Sequence, residues 1–291
     1  MPESSTARLR LPRPRVAIRA GAAVSGFLLL CVAADAGAQT TSPLPEWEYS
    51  AGQLLRSYFM GDKLPTLAAS VGVSAEVFPK FDGSSHYGVL GGPTFDIRYR
   101  DIAFLSTGEG LGVNILRGTH YRSGIALTYE LGRSNNESVV LRGLGDVHAA
   151  PELKVFAEGL VFPVVIRADI RRALGGYNGW AADFAVYLPI TGSKKFYMLV
   201  GPSIAFGDSS YMRHFFGITE TESQTSGLPV YTPGAGIKSI NFGTNATLFV
   251  TDHWFLNSVL AVDRLLGGAA GSPTTSERMQ FATTFTVGYD F

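Results

Sequence analysis

The chain has 291 residues, of which 16% are charged and 12% aromatic, and it contains 34 glycines with a formal net charge of zero. Charged residues make up about a quarter of a typical soluble domain, so this composition favours a β-rich protein whose surface does not all face water. A net charge of zero gives no basic excess for contacts with phosphates, and we expect no nucleic-acid partner.

The N-terminal residues have the pattern of a secretory signal peptide. Several arginines precede an apolar segment from Ala20 to Val32, which at about 13 residues is too short to span a bilayer comfortably. Ala36 and Ala38 follow as a small-x-small cleavage site. We therefore expect residues 1–38 to be removed on export, and with them Cys31, the only cysteine of the chain. The exported chain would then hold its fold without disulfides.

Residues 39–65 contain Pro43, Pro45 and Pro65 and show no clear period. We interpret them as an N-terminal lead-in on the periplasmic side of the membrane. Beyond the signal peptide, the sequence has no unbroken apolar run of about 18 residues, so no transmembrane helix is expected.

From residue 66 onward, apolar residues alternate with small or polar ones, which is the period of a β-strand. The alternating runs lie at 67–77, 95–99, 111–115, 125–131, 153–157, 164–170, 184–188, 234–242, 246–250, 254–262 and 281–291, and residues 196–206 are apolar on both parities. Turns rich in Gly, Asn, Asp and Ser separate the runs, so the pattern predicts about 12 strands, with a range of about 10–14.

Two all-β architectures fit this pattern, a soluble sandwich and a transmembrane barrel. The export signal and strands of about ten residues, the length that a tilted strand needs to cross a bilayer, favour the barrel. A closed barrel also pairs its last strand with its first and so leaves no edge. We therefore predict a transmembrane antiparallel up-and-down β-barrel over residues 66–291, surrounded by outer-membrane lipids.

The last strand has aromatic and apolar side chains at every second position. Phe285, Val287, Tyr289 and Phe291 share one parity. This ending resembles the C-terminal signature that the barrel-insertion machinery reads in outer-membrane barrels. A plain edge strand would show the same alternation, and the whole series of strands favours the signature.

Charged residues on several strands are predicted to face the lumen. If the even-numbered apolar residues of 164–170 and 184–188 face lipid, then Arg167, Asp169, Arg171 and Asp183 face inward. The turn near residues 175–179 predicts that Arg171 lies across from Asp183 and Arg167 across from Tyr187. Arg98 and Arg100 alternate with apolar residues in the same way and complete the predicted lumen charges. Mixed charges indicate a plugged or narrow pore; the alternative is charges solvated at a rim.

The strand count also predicts the side on which each connection lies. With both termini in the periplasm, residues 82–92 and 264–276 would be outer loops, because outer-membrane barrels have short periplasmic turns and long outer loops. Residues 132–151 and 207–232 would follow strands four and eight and lie in the periplasm. Tyr211, Phe215 and Phe216 would then be exposed anchors for a protein partner. One missed strand before residue 132 would move that loop outside.

Five stretches carry a family resemblance in their order and spacing. They are FDIRYRDIAFLSTGEGLGVNIL (95–116), YELGRSNNESVVLRGLGDV (129–147), RRALGGYNGW (171–180), YMRHFFGIT (211–219) and RLLGGAAGSPTTSERMQF (264–281), which leads to VGYDF. Together they resemble the MltA-interacting protein (MipA) / OmpV-like family of outer-membrane proteins, from about residue 67 to the end. The sequence departs from the family at the glycine turn, where Tyr177 or Asn178 stands in place of an expected histidine. The resemblance implies an outer-membrane barrel. For the namesake it implies a scaffold that links a murein transglycosylase to a murein synthase, whereas other members are described as porin-like or adhesive.

No catalytic or cofactor motif stands out. The five histidines lie in or near predicted turns, without metal-ligand spacing, and neither His-Glu-x-x-His nor Gly-x-Ser-x-Gly occurs. Residues 108–112 resemble a phosphate loop only in their glycines, and a hairpin turn is the better interpretation. A Ser–His site assembled in space, as in barrel acyl hydrolases, stays open as an alternative. We therefore expect that the protein is not an enzyme and that it binds no cofactor and no metal. The predicted function is a scaffold for periplasmic peptidoglycan-remodelling enzymes. The alternative is a small porin-like channel.

Overall fold

The computed structural model describes residues 65–193 and 195–291. The predicted signal peptide with Ala36 and Ala38, and all of the lead-in except Pro65, lie outside the described residues. Their export and cleavage stay predictions.

Twelve β-strands form most of the described chain. They are β1 (Leu67–Pro79), β2 (Tyr87–Tyr99), β3 (Ala103–Ser106), β4 (Gly110–Arg117), β5 (Tyr121–Glu130), β6 (Ala150–Val161), β7 (Val164–Ala173), β8 (Trp180–Gly192), β9 (Phe196–Gly207), β10 (Gly236–Phe249), β11 (Trp254–Leu265) and β12 (Met279–Asp290). Three short α-helices lie in the connections, α1 (Ser209–Phe216), α2 (Glu220–Ser226) and α3 (Gly267–Ala270), together with a 3-10 helix at Val139–Leu141. Among the helices of the described residues, none has the length and apolar character needed to cross a membrane.

Each strand is antiparallel to its neighbours in the sequence, and β1 pairs with β12, which closes the sheet into a barrel. The predicted fold class and strand number are therefore confirmed. Two errors in the predicted strands cancel in that number. The sequence pattern missed β3, which has only four residues, and it divided β10 into two strands at 242–246. Asn245 within β10 is buried in the lumen, so the small polar residues there line the barrel and form no turn.

The two faces of the barrel wall differ as the alternation predicts. Large apolar side chains are exposed on the outer face of the strands, including Ile166, Ile170, Phe184 and Leu188. The residues between them, such as Arg167, are buried inside the barrel. A wall with apolar residues outside and polar ones inside suits lipid as the surrounding solvent.

The last strand lies between β11 and β1, so it has no free edge. Phe285, Val287 and Phe291 are exposed on its outer face, and Phe291 has 75% of its surface accessible. Tyr289 is half-buried against the rings of His253, Trp254 and Phe291. The pattern that we assigned to the insertion signature is thus a lipid-facing stripe, and its reading by the insertion machinery stays a prediction.

The two ends of the barrel have very different connections. At the end where β1 begins and β12 ends, every connection has between two and four residues. At the opposite end, which we call the loop end, the longest connections are residues 131–149, 208–235 and 266–278. Short turns on one side and long loops on the other are typical of the periplasmic and outer sides of such barrels, which predicts that the loop end is the outer end.

This arrangement corrects the strand count behind the predicted side of two connections. Because of the missed strand β3, residues 131–149 follow β5 and residues 208–235 follow β9, and both lie at the loop end, opposite the chain termini. With the termini in the periplasm, both connections are now predicted to lie on the outer side. The predicted outer loops 82–92 and 264–276 lie at the loop end as expected, although their bounds are 80–86 and 266–278.

Candidate functional site: the lumen network and the cap

One half of the lumen wall carries a cluster of charged side chains, which we call the lumen network. Its members are Asp96, Arg98, Glu109, Arg122, Glu152, Lys154, Glu158, Arg167, Asp169, Arg171 and Asp183. Apart from the partly buried Arg171, they are almost fully removed from solvent, with 1% of the surface of Arg122 and 0% of that of Lys154 accessible. Charges buried this deeply are stable only when they are paired and hydrogen-bonded.

Glu109, in the turn between β3 and β4, is the centre of the lumen network. Its carboxylate accepts hydrogen bonds from Arg98 and from Nη2 of Arg122 at 3.3 Å, and Nη1 of Arg167 lies 3.6 Å from the same group. Lys154 Nζ donates to the Glu109 backbone oxygen at 3.3 Å. Three guanidinium groups around one buried carboxylate favour its ionised form.

The backbone at this turn explains how Glu109 reaches the lumen. Residues 107–109 form the hairpin turn that the glycines predict. Gly110 follows with φ +83°, and a Cβ on it would lie 2.2 Å from the Leu127 carbonyl oxygen. Only glycine fits this close approach, which brings the turn against β5 and directs Glu109 toward Arg122.

Further ion pairs extend the lumen network around the wall. Glu158 bridges Arg122 at 2.9 Å and Arg167 at 2.5 Å. Arg171 lies 2.5 Å from an oxygen of Asp183 and 3.4 Å from one of Asp169. The cluster thus forms a continuous chain of alternating charges from β2 to β8.

The predicted lumen charges are mostly brought together here. Arg98, Arg167, Asp169 and Asp183 are buried inside the barrel, and the partly buried Arg171 contacts them. The predicted register between β7 and β8 is wrong by two residues.

In the structure, Asp169 lies opposite Asp183 and Arg171 opposite Ala181. Gly175 and Gly176 adopt positive φ angles of 150° and 71°, which centre the turn one residue earlier than predicted. Arg171 nevertheless reaches Asp183 diagonally, because its side chain is long.

Arg100 does not belong to the lumen. The strand β2 ends at Tyr99, so the alternation stops before Arg100, which lies in the following turn with φ +50°. Its exposed guanidinium lies 5.5 Å from the ring of the outward-facing Tyr99. The prediction for this residue was wrong.

Sequence reasoning missed more than half of the lumen network. Glu152, Lys154 and Glu158 share one parity on β6 and alternate with the lipid-facing Leu153 and Val155, a pattern that could have identified them. No comparable signal marks Glu109, because a single carboxylate in a glycine-rich turn is usually solvated.

The long connections fold over the loop end of the barrel and form what we call the cap, residues 131–149, 174–179, 208–235 and 266–278. The helix α1 begins after Asp208, whose Oδ1 accepts a hydrogen bond from the Tyr211 backbone N–H at 2.7 Å. Its apolar face carries Tyr211, Met212, Phe215 and Phe216, all buried. These residues pack against Ala150, Ala173, Ala181 and Leu265, which line the barrel near its mouth. Helix α1 therefore fills the mouth of the barrel.

This finding corrects the predicted partner anchors. Tyr211, Phe215 and Phe216 are not exposed, and 0% of the Phe216 surface is accessible. Their spacing of four and five residues behind an N-terminal Asp208 is a helix signal that could have shown a common buried face.

Hydrogen bonds hold the parts of the cap together. Arg133 Nη1 donates to the Phe215 oxygen at 3.0 Å, and Ser272 Oγ donates to the Phe216 oxygen at 2.7 Å. The Tyr177 hydroxyl donates to the Glu152 carboxylate, which joins the cap to the lumen network. The cap is thus a packed layer fixed to the barrel wall.

A cleft of about 360 Å³ lies at the loop end, between residues 80–86 and three connections of the cap. Its lining includes Phe81, His86, Val140 and Leu228 together with several serines, and no charged side chain. Within the described part of the chain, no group of three or more His, Cys, Asp and Glu side chains could hold a metal ion.

Comparisons with solved structures return outer-membrane proteins with low similarity. The CymD monoaromatic hydrocarbon channel is 8% identical, with 89% of this chain and 98% of that chain covered and a TM-score of 0.41. The translocator domain of the autotransporter NalP from Neisseria meningitidis is 12% identical, with 89% and 100% covered and a TM-score of 0.40. The outer membrane channel DcaP of Acinetobacter baumannii is 12% identical, with 77% and 96% covered and a TM-score of 0.34. No curated protein matches the chain.

The comparison with protein families is more informative. The family model of the MltA-interacting protein MipA matches residues 71–291, which is nearly the whole barrel. Family and fold together point to a non-enzymatic protein of the outer membrane. The chain belongs to the MltA-interacting protein MipA family.

Proposed function

We propose that this protein is an interaction protein of the outer membrane, which docks periplasmic enzymes that remodel peptidoglycan. The observation that carries the proposal is the closed interior. The lumen network occupies one half of the wall, and helix α1 fills the mouth at the loop end. A barrel closed in this way supports a structural role better than free diffusion of solutes.

The family name supports the kind of partner. The family is described as MltA-interacting protein. For its namesake, the sequence resemblance implies a scaffold between a murein transglycosylase and a murein synthase. A scaffold of this kind gathers its partners without chemistry of its own. The same two enzyme classes are therefore the partners that we propose for this chain.

The position of the cap moves the proposed docking surface away from Tyr211, Phe215 and Phe216. These side chains are buried at the end opposite the termini, so a periplasmic enzyme would meet the short turns instead. Arg100 and Arg117 are exposed at that end, together with Asp252 and His253. We propose that these turns form the docking surface.

Co-purification from membranes tests the docking. The full chain should retain a murein transglycosylase, and the charge reversals Arg100→Glu and Arg117→Glu should reduce its recovery. Arg142→Glu is the matched control, because Arg142 is exposed on the cap at the other end. Equal recovery with all three variants would contradict docking at the short turns, and no recovery with the wild-type chain would contradict the scaffold itself.

Reconstitution in planar bilayers tests the channel alternative. The closed mouth leads us to expect no steady conductance. A stable, solute-sensitive conductance from the wild-type protein would support the porin-like alternative and overturn the closed scaffold.

A further inference from the structure

Arg172 is a cation on the lipid-facing side of the barrel. It lies near the loop end of β7, where its register partners are Leu153 on β6 and Trp180 on β8. Both partners are exposed on the outer face, and 41% of the Trp180 surface is accessible. The neighbouring Ile170 and Leu174 are exposed apolar residues as well. The guanidinium is therefore at the boundary between the apolar band and the outer rim.

The contacts of Arg172 hold the guanidinium in place but supply no negative charge to balance it. Its carbon lies 4.9 Å from the centre of the Trp180 ring, and Nη2 donates to Oδ1 of Asn178 at 3.3 Å. No carboxylate forms an ion pair with it within the described residues. The adjacent Arg171, which faces the lumen, pairs with Glu152, Asp169 and Asp183. Two consecutive arginines thus differ in whether the protein supplies their counter-ion.

We propose that Arg172 and Trp180 bind the phosphate group of a phosphorylated lipid in the outer leaflet. A cation costs little at the edge of the hydrocarbon layer, and the phosphate of an anionic lipid stabilises it there. The planar guanidinium presents a fork of donors that matches phosphate geometry, and stacking on the indole ring preorients that fork. The lipid headgroup region is where such phosphates lie.

The surroundings favour a lipid over free phosphate. Leu153, Ile170 and Leu174 form an exposed apolar surface next to the guanidinium, on which the acyl chains of the same lipid can lie. A free anion would gain only the charged contacts, whereas a lipid gains both.

Lipid retention tests the site. The full-length protein is extracted in mild detergent, and the phosphorylated lipid that stays bound is measured by native mass spectrometry. We expect Arg172→Gln to reduce the retained lipid about tenfold through loss of the charge-assisted bonds, and Trp180→Leu to reduce it less. Arg142→Gln is the matched control, because it removes an exposed arginine from the cap away from the lipid-facing wall.

Two competitors separate the sources of phosphate. Purified lipopolysaccharide added to delipidated wild-type protein should rebind, and the dephosphorylated lipid and inorganic phosphate at equal concentration should not compete. Retention by Arg172→Gln equal to that of Arg142→Gln would overturn the proposal. Competition by inorganic phosphate at equal concentration would also overturn it, since the site would then hold an anion and not a lipid. A heat-modified mobility shift on gels checks that each variant is folded.

Discussion

The two ends of this barrel are stabilised in different ways. At the end with the termini, the strands are joined by turns as short as residues 162–163, and outward aromatic residues such as Tyr121 and Trp254 lie at the edge of the wall. At the loop end, residues 131–149 and 208–235 fold back over the mouth and bury helix α1. The first end follows from the alternation of the strands, whereas the second depends on packing between distant segments.

This difference separates what the membrane dictates from what the chain must build for itself. Lipid requires closed strands with apolar outer faces, and this requirement defines the wall. The cap has no such solvent to define it and relies on buried aromatics and hydrogen bonds. Changes in the cap should therefore leave the wall intact, and changes in the lumen network should affect the wall itself.

The largest expected effect is the difference in cysteine labelling between the two ends of the barrel. Single cysteines at Asn136 and Gln224 are exposed on the cap and should react with a membrane-impermeant maleimide on intact cells. A cysteine at Asp252, in a turn at the other end, should react only after the membrane is permeabilised. The wild-type chain measures any background from Cys31. The reverse pattern of labelling would place the cap in the periplasm.

Removing a buried ring should open the cap without unfolding the wall. Phe216→Ala deletes a fully buried side chain, a change that typically costs about 3–5 kcal/mol. We expect the barrel to keep its heat-modifiable mobility, while trypsin cleaves after Arg213 in helix α1. The control His214→Ala changes the exposed face of the same helix and should resist cleavage. A loss of the folded gel band would show that cap and wall are one cooperative unit.

Neutralising Glu109 should instead weaken the wall. Glu109→Gln leaves Arg98 and Arg122 without part of their counter-charge, and breaking a buried pair costs about 3–5 kcal/mol. The free energy of unfolding in urea should fall by a similar amount. It can be measured from the intensity of the folded band on gels. Glu277→Gln, an exposed carboxylate near the start of β12, should change it by less than about 0.5 kcal/mol. Equal midpoints for the two variants would contradict a stabilising role for the lumen network.

The wall could be predicted from the sequence because period-two alternation is a local property. Even so, the four-residue strand β3 escaped detection, and this single omission reversed the sides of the cap connections. The cap could be predicted only in part. Helix α1 has a local signal in Asp208 and in the spacing of its aromatics, but its burial depends on residues such as Leu265 on a distant strand. The ion pairs of Glu109 join residues up to 58 positions apart, so no local pattern reveals them.

Removing the hydrogen bond between Tyr177 and Glu152, which joins the cap to the lumen network, should have an intermediate effect on the free energy of unfolding. Tyr177→Phe removes the hydroxyl that donates to Glu152, while Arg171 remains as a partner of that carboxylate. We expect a loss of about 1–2 kcal/mol in unfolding free energy. Burial raises the pKa of Tyr177, and the nearby Tyr211 and Glu152 raise it further. The hydroxyl is therefore a donor throughout the neutral range, and the loss should be the same at pH 6 and pH 8.

The weakest expected effect concerns the contact between the two largest connections of the cap. Oε1 of Glu222 accepts a hydrogen bond from the Gly145 backbone N–H at 2.8 Å. Burial would raise the pKa of Glu222, but its bonds from Thr219 and Gly145 outweigh this and lower it. Since the pKa is lower in the folded state, the contact should stabilise the cap above the ordinary carboxyl pKa and be lost as pH falls through the lowered value.

Hydrogen exchange of the Gly145 amide can measure this contact at neutral pH. Glu222→Gln weakens the acceptor, and for a carboxylate that is largely exposed we expect a loss of about 0.5 kcal/mol in protection. Glu220→Gln is the matched control, because Glu220 lies exposed on the same helix α2 and accepts no hydrogen bond from residues 131–149 in the described chain. Faster exchange in Glu222→Gln alone would show that the hydrogen bond between the Glu222 side chain and the Gly145 backbone holds the two connections together. Unchanged exchange in both variants would show that packing around Leu141 and Ile218 is sufficient to hold them.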